Sequence, residues 1–286
     1  MCNGLACAPD SDATGLGGDT LQRIQSERRV RIGFANEAPF AYVESASGDL
    51  TGEAPEVLKT VMARLGVSEI EGVLTEFGSL IPGLKAGRFD VIAAGMYITP
   101  ERCEQIAFSD PTYAIGEAFV VKKDNPLALH SYEDVAKHPS ARLAVVAGAV
   151  ERSYALACGV PQSRLVVFPD APSAIAGVLS DRVDAYAGTS LTVRDLLEKS
   201  NNDALEQADP FTDPVIEGQS VRGYGAFGFR LADSALRDAV NSELASFLGS
   251  DEHLAMVQPF GFTQNELPGG MTANALCGAR TQPEAR

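Results

Sequence analysis

The amino-acid sequence is informative first through the residues and patterns that it lacks. Its 286 residues include no tryptophan and three histidines, which leaves little material for a His-rich metal site. The cysteines form neither a CxxC pair nor a zinc-ligand spacing; they are Cys2, Cys7, Cys103, Cys158 and Cys277. No apolar run approaches the roughly 18 residues of a transmembrane helix. Neither a metal, nor a cofactor, nor a membrane span is predicted.

Positive charge is scarce as well. Lys and Arg number 23 against 38 Asp and Glu, which gives a formal net charge of −15 and a pI near 4.6. A surface this acidic repels phosphate backbones, so no nucleic-acid partner is expected. The remaining composition, 45% apolar and 21% charged, is that of an ordinary globular protein with about two domains.

Motifs of the common enzyme classes are also absent. The sequence has no GxSxG, no P-loop and no HExxH. His130, His138 and His253 lie in polar surroundings and are predicted to be exposed. The GYGAFG run at 223–228 has the form of a dinucleotide fingerprint, but its glycines lie inside a β-like run and the next helix begins only near Asp233. Structural glycines are therefore favoured, and no catalytic residues are predicted.

The two ends of the chain carry separate expectations. Residues 1–19 are polar and glycine-rich without a signal-peptide pattern, which predicts a flexible leader. A polar leader that starts at Cys2 is typical of a mature bacterial lipoprotein that carries its lipid on that cysteine, with a start Met added in front of it. The alternative is an arbitrary N-terminal sequence without a biological function. Residues 266–286 are predicted to form a C-terminal tail. In an oxidising compartment Cys103 and Cys277 can bridge and tie this tail back, and the alternative is two free thiols.

Short β-rich runs alternate with amphipathic helical patterns from Arg29 onward. The β-rich runs span 30–34, 90–94, 118–122, 143–146, 165–168, 183–187 and 225–229, and the helical patterns span 55–65, 80–84, 132–138, 150–158, 173–179, 192–199 and 234–248. This alternation predicts two α/β units with mostly parallel sheets and crossovers at 110–113 and 210–223. The pattern leaves open which unit the late segment from Gly225 joins. Ser79, Ser131 and Asp233 are predicted helix N-caps.

One stretch, 93–103, combines the features of a ligand site. A strand ends at Ala94, and Thr99 and Arg102 follow within a short turn of helix. Ligands of open α/β sheets bind beyond the carboxyl ends of the strands. An arginine in that place can form a bidentate fork to a carboxylate, while Thr99 and nearby N–H groups share the same anion.

Several separated motifs, in order over residues 24–265, carry a family resemblance. They read VRIGFANEAPFAY, LTGEAPEVLKTVMARLG, LIPGLKAGRFDVIAAGMYITPERCEQIAFSDPTY, DRVDAYAGTSLT and YGAFGFRLADSALRDAVNSEL. The chain resembles the amino-acid-type substrate-binding proteins of ABC importers. The resemblance implies a two-lobed α/β fold, the type II periplasmic-binding-protein fold, with a mostly parallel sheet flanked by helices in each lobe. Ligand would sit in the cleft, which closes by hinge motion. The implied lobes are 20–113 with 223–265, and 114–222 with the hinge crossovers.

The resemblance also assigns roles at the carboxylate end of the ligand. Arg102 matches the arginine that holds the α-carboxylate, and Thr99 lies in the same turn. Gly148 matches the glycine of the second-lobe loop whose following N–H groups, here those of Ala149 and Val150, meet that carboxylate. Relatives usually have threonines at those two positions. Thr189 stands where amino-acid binders usually place an aspartate against the α-ammonium, so an ordinary α-amino acid is expected to be a poor ligand.

The other end of the expected cleft is aromatic. Phe40, Phe77 and Tyr97 come from different strand-end loops, and Glu37 lies three residues before Phe40. Aromatic faces with one carboxylate suit a delocalised cation. With Arg102 opposite, the expected ligand is a small zwitterion without a free ammonium.

Three local sequences narrow the resemblance. They are NEAPF, GMYITPERC and DAYAGTSLTV, and they look like the ectoine-binding branch of the family. The resemblance therefore implies an exported, monomeric receptor, periplasmic or lipid-anchored on the outer face of the cytoplasmic membrane, that delivers ectoine or 5-hydroxyectoine to an ABC permease. The alternatives are a binding protein for a polar amino acid such as arginine or glutamine, and a periplasmic dehydratase with Glu37 as its general acid.

Overall fold

The computed structural model describes residues 20–200, 202–216 and 218–278. The predictions for the leader at 1–19, for lipid on Cys2 and for residues 279–286 lie outside these ranges. Within them, no helix has the length and apolar character that crossing a membrane requires.

Helices and strands alternate along the chain much as the sequence pattern predicts. The helices are α1 (Thr20–Glu27), α2 (Glu53–Arg64), α3 (Leu80–Lys85), α4 (Pro100–Cys103), α5 (Tyr132–Lys137), α6 (Glu151–Ala157), α7 (Ala171–Leu179), α8 (Ser190–Ser200), α9 (Ser234–Phe247), α10 (Asp251–Val257) and α11 (Ala273–Gly278). The strands are β1 (Arg29–Phe34), β2 (Tyr42–Val43), β3 (Leu50–Thr51), β4 (Glu69–Leu74), β5 (Val91–Ile92), β6 (Ala107–Phe108), β7 (Tyr113–Ile115), β8 (Glu117–Lys122), β9 (Leu143–Val146), β10 (Leu165–Phe168), β11 (Ala185–Thr189), β12 (Leu205–Gln207), β13 (Val215–Ile216), β14 (Gln219–Ser220), β15 (Gly223–Gly225) and β16 (Gly228–Phe229).

Two five-stranded sheets form the centres of two lobes, which confirms the predicted α/β fold. The first sheet has the order β4-β1-β5-β16-β6 and the second β10-β9-β11-β8-β12. Both sheets are mixed, each with two parallel and two antiparallel strand pairs, and are therefore not mostly parallel as expected. The pairs β1–β4 and β1–β5 are parallel, as are β9–β10 and β9–β11. β16 runs antiparallel to β5 and β6, and β8 runs antiparallel to β11 and β12, because each enters its sheet from a crossover between the lobes.

The late segment belongs to the first lobe. The run 225–229, predicted as one strand, is divided between β15 and β16. β15 pairs antiparallel with β7, with Gly225 opposite Tyr113, and β16 inserts between β5 and β6. These two neighbouring strands, β7 and β15, are the connections between the lobes. The pairing decides the assignment that the sequence pattern left open.

Apolar stripes at helical spacing attach two long helices to the first sheet. Val57, Leu58, Val61 and Met62 of α2 are fully buried in the first-lobe core. α9 contributes Leu236, Val240, Leu244 and Phe247 to the same core. The strands of the first sheet are therefore held in a closely packed core, which fixes the positions of their carboxyl ends.

Of the predicted N-caps, Ser131 is confirmed and Ser79 is wrong. The Ser131 side chain accepts a hydrogen bond from the Asp134 amide at 3.1 Å, at the start of α5. Ser79 makes no capping hydrogen bond, because it already belongs to a 3-10 turn (Phe77–Ser79) that continues directly into α3. The helical backbone thus begins before the residue that the pattern selects.

Asp233 occupies the position before α9 but does not cap it through its side chain. Its Oδ1 accepts a hydrogen bond from the Thr20 hydroxyl at 2.8 Å, and its Oδ2 pairs with Arg230 Nε at 2.6 Å. A buried carboxylate needs its charge compensated, and the neighbouring Arg230 supplies that compensation. These side-chain partners, one local and one distant, therefore override the capping preference of Asp233.

A disulfide joins the C-terminal helix to the first lobe. Cys103 is the last residue of α4 and Cys277 lies in α11, with the two Cα atoms 5.7 Å apart. The Ala273 amide also donates to Asp110 Oδ1 at 2.9 Å. The described part of the segment predicted as a tail thus includes a helix held on the protein body.

We expect this disulfide to stabilise the fold by about 2–5 kcal/mol, since it closes a loop of 174 residues and restricts the unfolded chain. Denaturant unfolding should show a lower free energy of unfolding for the Cys103→Ser/Cys277→Ser double variant. Cys158→Ser, which removes a free and partly buried thiol, is the matched control. An unfolding midpoint that the double variant leaves unchanged would contradict the expectation.

A buried carboxyl and a buried histidine share a small cavity beneath the start of α2. Glu53 and His253 are 1% and 2% exposed and line the same small space. The prediction that His253 is exposed is therefore wrong; its Nδ1 accepts a hydrogen bond from the Gly249 amide at 3.2 Å. Burial raises the pKa of Glu53 from 4.5 to about 7 and lowers the pKa of His253.

The raised pKa of Glu53 means that the unfolded chain releases this proton at lower pH than the folded chain does. The contribution of the Glu53 proton to the free energy of unfolding is complete below about pH 4.5 and is lost as pH rises through about 7. Glu53→Gln should therefore raise the free energy of unfolding by up to about 3 kcal/mol at pH 8 and by much less at pH 4.5. Unfolding at both pH values measures this, with the exposed Glu69→Gln as control. An equal gain in the free energy of unfolding at both pH values would contradict a raised pKa of Glu53 as the cause.

Candidate functional site

A cavity lies between the two lobes. It is lined by Glu37, Phe40, Phe77, Ala94, Gly95, Tyr97, Arg102, Val146, Ala149, Val150, Glu151, Tyr186 and Thr189. Seven of the nine predicted ligand residues belong to this lining. The two that do not, Thr99 and Gly148, lie beside Arg102 and contact it.

Arg102 is held by hydrogen bonds from both lobes. Thr99 precedes α4, and its hydroxyl oxygen accepts a hydrogen bond from the Arg102 amide at 3.3 Å. The guanidinium donates from Nη1 to the Tyr97 carbonyl at 2.7 Å and from Nη2 to the Gly148 carbonyl at 2.9 Å. It also lies 5.7 Å from the centre of the Phe77 ring. Thr99 and Gly148 therefore position Arg102, whose side chain is only 8% exposed.

The aromatic side of the cavity rests on a second layer of rings. Phe40 contacts Tyr113 with ring centres 5.2 Å apart, and both contact Phe262. The Tyr113 hydroxyl donates to the Gly95 carbonyl at 2.9 Å. The hydroxyl of Tyr97 is buried and has no hydrogen-bond partner among the described residues. Tyr97 therefore offers both a ring face and a free polar group to a ligand.

The glycines of the GYGAFG run have a structural function. A Cβ at Gly223 would overlap the ring of Tyr97, and a Cβ at Gly225 would overlap the ring of Tyr113. The hinge strand β15 must carry glycine here so that both tyrosines fit beneath it. The interpretation of this run as structural glycine, rather than as a nucleotide fingerprint, agrees with that packing.

Glu37 connects the lobes through two threonine hydroxyls. Thr189 Oγ1 donates to Thr192 Oγ1 at 2.9 Å, and Thr192 Oγ1 donates to Glu37 Oε1 at 2.9 Å. Burial raises the pKa of Glu37, and the hydrogen bond from Thr192 opposes that shift. The hydroxyl proton of Thr189 is thus already donated to Thr192 within the protein.

Glu151, which the sequence pattern did not single out, lines the cavity and is 6% exposed. Burial raises the pKa of Glu151 to about 7; a hydrogen bond from its own backbone amide lowers it, the nearby Glu37 raises it and Arg102 lowers it. Glu151 begins α6 and directly follows the predicted Val150, and this adjacency was the available signal.

Two further residues were missed. Tyr186 of β11 lines the cavity from the second lobe. Glu117 of β8, 4% exposed, accepts a hydrogen bond from the Tyr132 hydroxyl at 3.0 Å. Burial and then the neighbouring Glu151 raise the pKa of Glu117 well above its ordinary value. One guanidinium, that of Arg102, and two carboxyl groups, those of Glu37 and Glu151, thus line the cavity, and a third carboxyl group, that of Glu117, is buried near Glu151. Across the described residues, no cluster of three His, Cys, Asp or Glu side chains suited to a metal ion is present.

We expect Gly223→Ala to disturb the site by displacing the Tyr97 ring. Overpacking of this kind costs roughly 1–3 kcal/mol, which denaturant unfolding detects. The near-ultraviolet circular dichroism should change with it, since tyrosine is the main chromophore of a chain without tryptophan. Gly270→Ala is the matched control, because no atom lies within 4 Å of a Cβ at that position. If Gly223→Ala, like Gly270→Ala, keeps the wild-type circular dichroism spectrum and the wild-type unfolding midpoint, Gly223 is not needed for the position of Tyr97.

Comparison with solved structures shows what this chain is similar to. The structure of EhuB in complex with hydroxyectoine superposes with a TM-score of 0.82 and 37% identity, over 92% of this chain and 99% of EhuB. The P235GK mutant of ArgBP from T. maritima has a TM-score of 0.72 and 27% identity, over 84% of this chain and 98% of ArgBP.

Sequence relatives agree with the structural ones. A probable amino-acid ABC transporter periplasmic-binding protein, y4tE of Sinorhizobium fredii, is 39% identical over 91% of this chain and 87% of its own length. The Escherichia coli ABC transporter arginine-binding protein 1 is 26% identical over 76% of this chain and 84% of its own length. The family of bacterial extracellular solute-binding proteins, family 3, matches residues 30–263. This chain belongs to that family, and it is an amino-acid-type solute-binding protein of an ABC transporter.

Proposed function

We propose that this protein captures ectoine or 5-hydroxyectoine and delivers it to an ABC permease by closing its cleft. The observation that carries the proposal is the polarity of the cavity. The buried Arg102 guanidinium, the rings of Phe40 and Tyr97, and the Glu37 carboxyl group all line this one cavity. A compact zwitterion with its positive charge spread over a ring fits such a cavity.

Each part of that ligand has a counterpart. The ring carboxylate would contact Arg102, where a charge-assisted hydrogen bond is stronger than a neutral one. The delocalised N–C–N cation would lie against the rings of Phe40 and Tyr97, at about 0.5–2 kcal/mol per ring, and beside Glu37. Thr189 brings no charge to this end, which disfavours a primary ammonium there. The likeness to EhuB, whose structure holds hydroxyectoine, supports the same ligand class.

A polar amino acid is the second candidate. Glu37 and Glu151 both line the cavity, so an ammonium can find a carboxylate even though position 189 has no aspartate. The likeness to arginine-binding proteins at 26–27% identity supports this alternative. A cationic amino acid would also balance the excess of carboxyl groups in the cleft.

The setting of the receptor is part of the proposal. We propose that lobe 1 comprises 20–113 and 223–265, that lobe 2 comprises 114–222, and that the protein acts as a monomer. Its family is extracytoplasmic, and a periplasmic location or a lipid anchor on the outer face of the cytoplasmic membrane would present it to the permease. Closure depends on a ligand that prefers the closed form to the open one.

Titration calorimetry separates the candidates. We expect saturable heat with ectoine and 5-hydroxyectoine, and much weaker binding of arginine, glutamine and glycine betaine. Tighter binding of arginine or glutamine would replace the proposal by the second candidate. Turnover of a prephenate-like substrate would contradict a binding function, since a dehydratase lineage is represented on this fold at 27% identity.

Two variants test the site itself. Arg102→Ala should abolish binding of ectoine, and Tyr97→Ala should weaken it by about 2- to 30-fold, the equivalent of one ring contact. Arg29→Ala, an exposed arginine at the start of β1, is the control and should bind like the wild type. If Arg102→Ala and Tyr97→Ala also bind like the wild type, the ligand lies elsewhere.

A further inference from the structure

We propose that Glu151 binds the solute's carboxylate as a neutral carboxylic acid, so that the protein takes up a proton when it captures its ligand. The inference rests on the proposed function in one respect, namely that the ligand presents a carboxylate to Arg102. It adds a donor from the second lobe and makes capture depend on pH.

The second-lobe residues beside Arg102 offer a ligand carboxylate few side-chain hydrogen-bond donors. One N–H on each terminal nitrogen of Arg102 donates to a carbonyl, that of Tyr97 or that of Gly148, which leaves the other guanidinium N–H groups for the ligand. The Ala149 amide donates to the Val146 carbonyl at 3.2 Å. The side chains of Ala149 and Val150 are apolar. A ligand carboxylate held by Arg102 therefore gains from a further side-chain donor in the second lobe, which replaces part of the water that it loses.

Glu151 is placed to be that donor. Its side chain lines the cavity, it is 6% exposed, and Oε2 is buried without a hydrogen-bond partner in the described ranges. As an ionised group it would present two acceptors to a ligand carboxylate that is itself an acceptor. As a neutral acid it donates one O–H to the carboxylate, and an O–H···O⁻ bond is among the strong charge-assisted kind.

The groups that face Glu151 are Arg102 of α4, Glu37 after β1, Glu117 of β8, and the phenols Tyr97, Tyr132, Tyr154 and Tyr186. Arg102 favours the ionised form of Glu151, whereas Glu37 favours its neutral form. One cation thus stands against two further carboxyls. Burial has already raised the pKa of Glu151 to about 7, and a bound carboxylate beside it raises this pKa further.

The sign of the linkage follows from that order of pKa values. Below about pH 7 Glu151 is already protonated in the free protein, so binding takes up little proton and affinity is highest. Above about pH 7 each binding event must also bind a proton, and the association constant falls by up to about tenfold per pH unit. At pH 8.5 the affinity should be roughly 10- to 30-fold below that at pH 6.

Calorimetry in paired buffers measures this proton directly. The full chain is titrated with ectoine at pH 6 and pH 8.5 in buffers of different ionisation enthalpy, whose heats reveal the number of protons exchanged. We expect uptake close to one proton at pH 8.5 and close to none at pH 6. Glu151→Gln, which keeps an N–H donor but cannot titrate, should bind without this uptake and with a nearly flat pH profile.

Controls keep the inference separable from the ligand assignment. Glu101→Gln, an exposed glutamate next to Arg102, should behave like the wild type. Wild-type binding without proton uptake, or a Glu151→Gln variant that folds yet loses affinity more than tenfold at both pH values, would overturn the inference. If ectoine gives no heat but another carboxylate solute binds, the proposed function fails while the same paired-buffer measurement on that solute still decides the role of Glu151. If no carboxylate solute binds, both proposals fail.

Discussion

The fixed position of the Arg102 guanidinium between the lobes is the constraint on which the rest of the site depends. Its charge is almost completely removed from water, and such a charge must be compensated locally. Two carbonyls do so, Tyr97 from the first lobe and Gly148 from the second. The same residue that would hold an anionic ligand therefore also holds the two lobes in register. In the proposed function, closure and ligand binding would share this one group, which would couple them without a separate signal.

The aromatic wall depends on the hinge in a similar way. Tyr97 and Tyr113 lie under β15, where only glycine leaves room for their rings. Tyr113 in turn supports Phe40, the ring at the cavity. The crossover strands are thus the surface on which the aromatic part of the cavity is built. If the lobes move about these strands as proposed, that motion would also change the shape of the cavity.

Charge balance is the other general property of the cleft. One guanidinium stands near three carboxyl groups, Glu37, Glu117 and Glu151, in a space from which bulk water is largely excluded. In such surroundings ionised carboxylates repel one another strongly. Some of this negative charge has to be cancelled, either by a cationic part of the ligand or by protons. The chemistry of the solute and the protonation of the protein are therefore linked.

Local sequence patterns were sufficient for the alternation of strands and helices and for the cap at Ser131, because periodicity and turn chemistry are properties of neighbouring residues. Together with the family resemblance they also gave seven of the 13 residues that line the cavity. They did not place Asp233, which pairs with Thr20 far along the chain, Ser79, which lies in a 3-10 turn, or His253, which the fold buries. Only the tertiary structure turned Glu151 into a cavity residue and inserted β16 into the first sheet. Burial and long-range pairing are determined by the fold as a whole, whereas periodicity and turn chemistry are determined by short segments of the sequence.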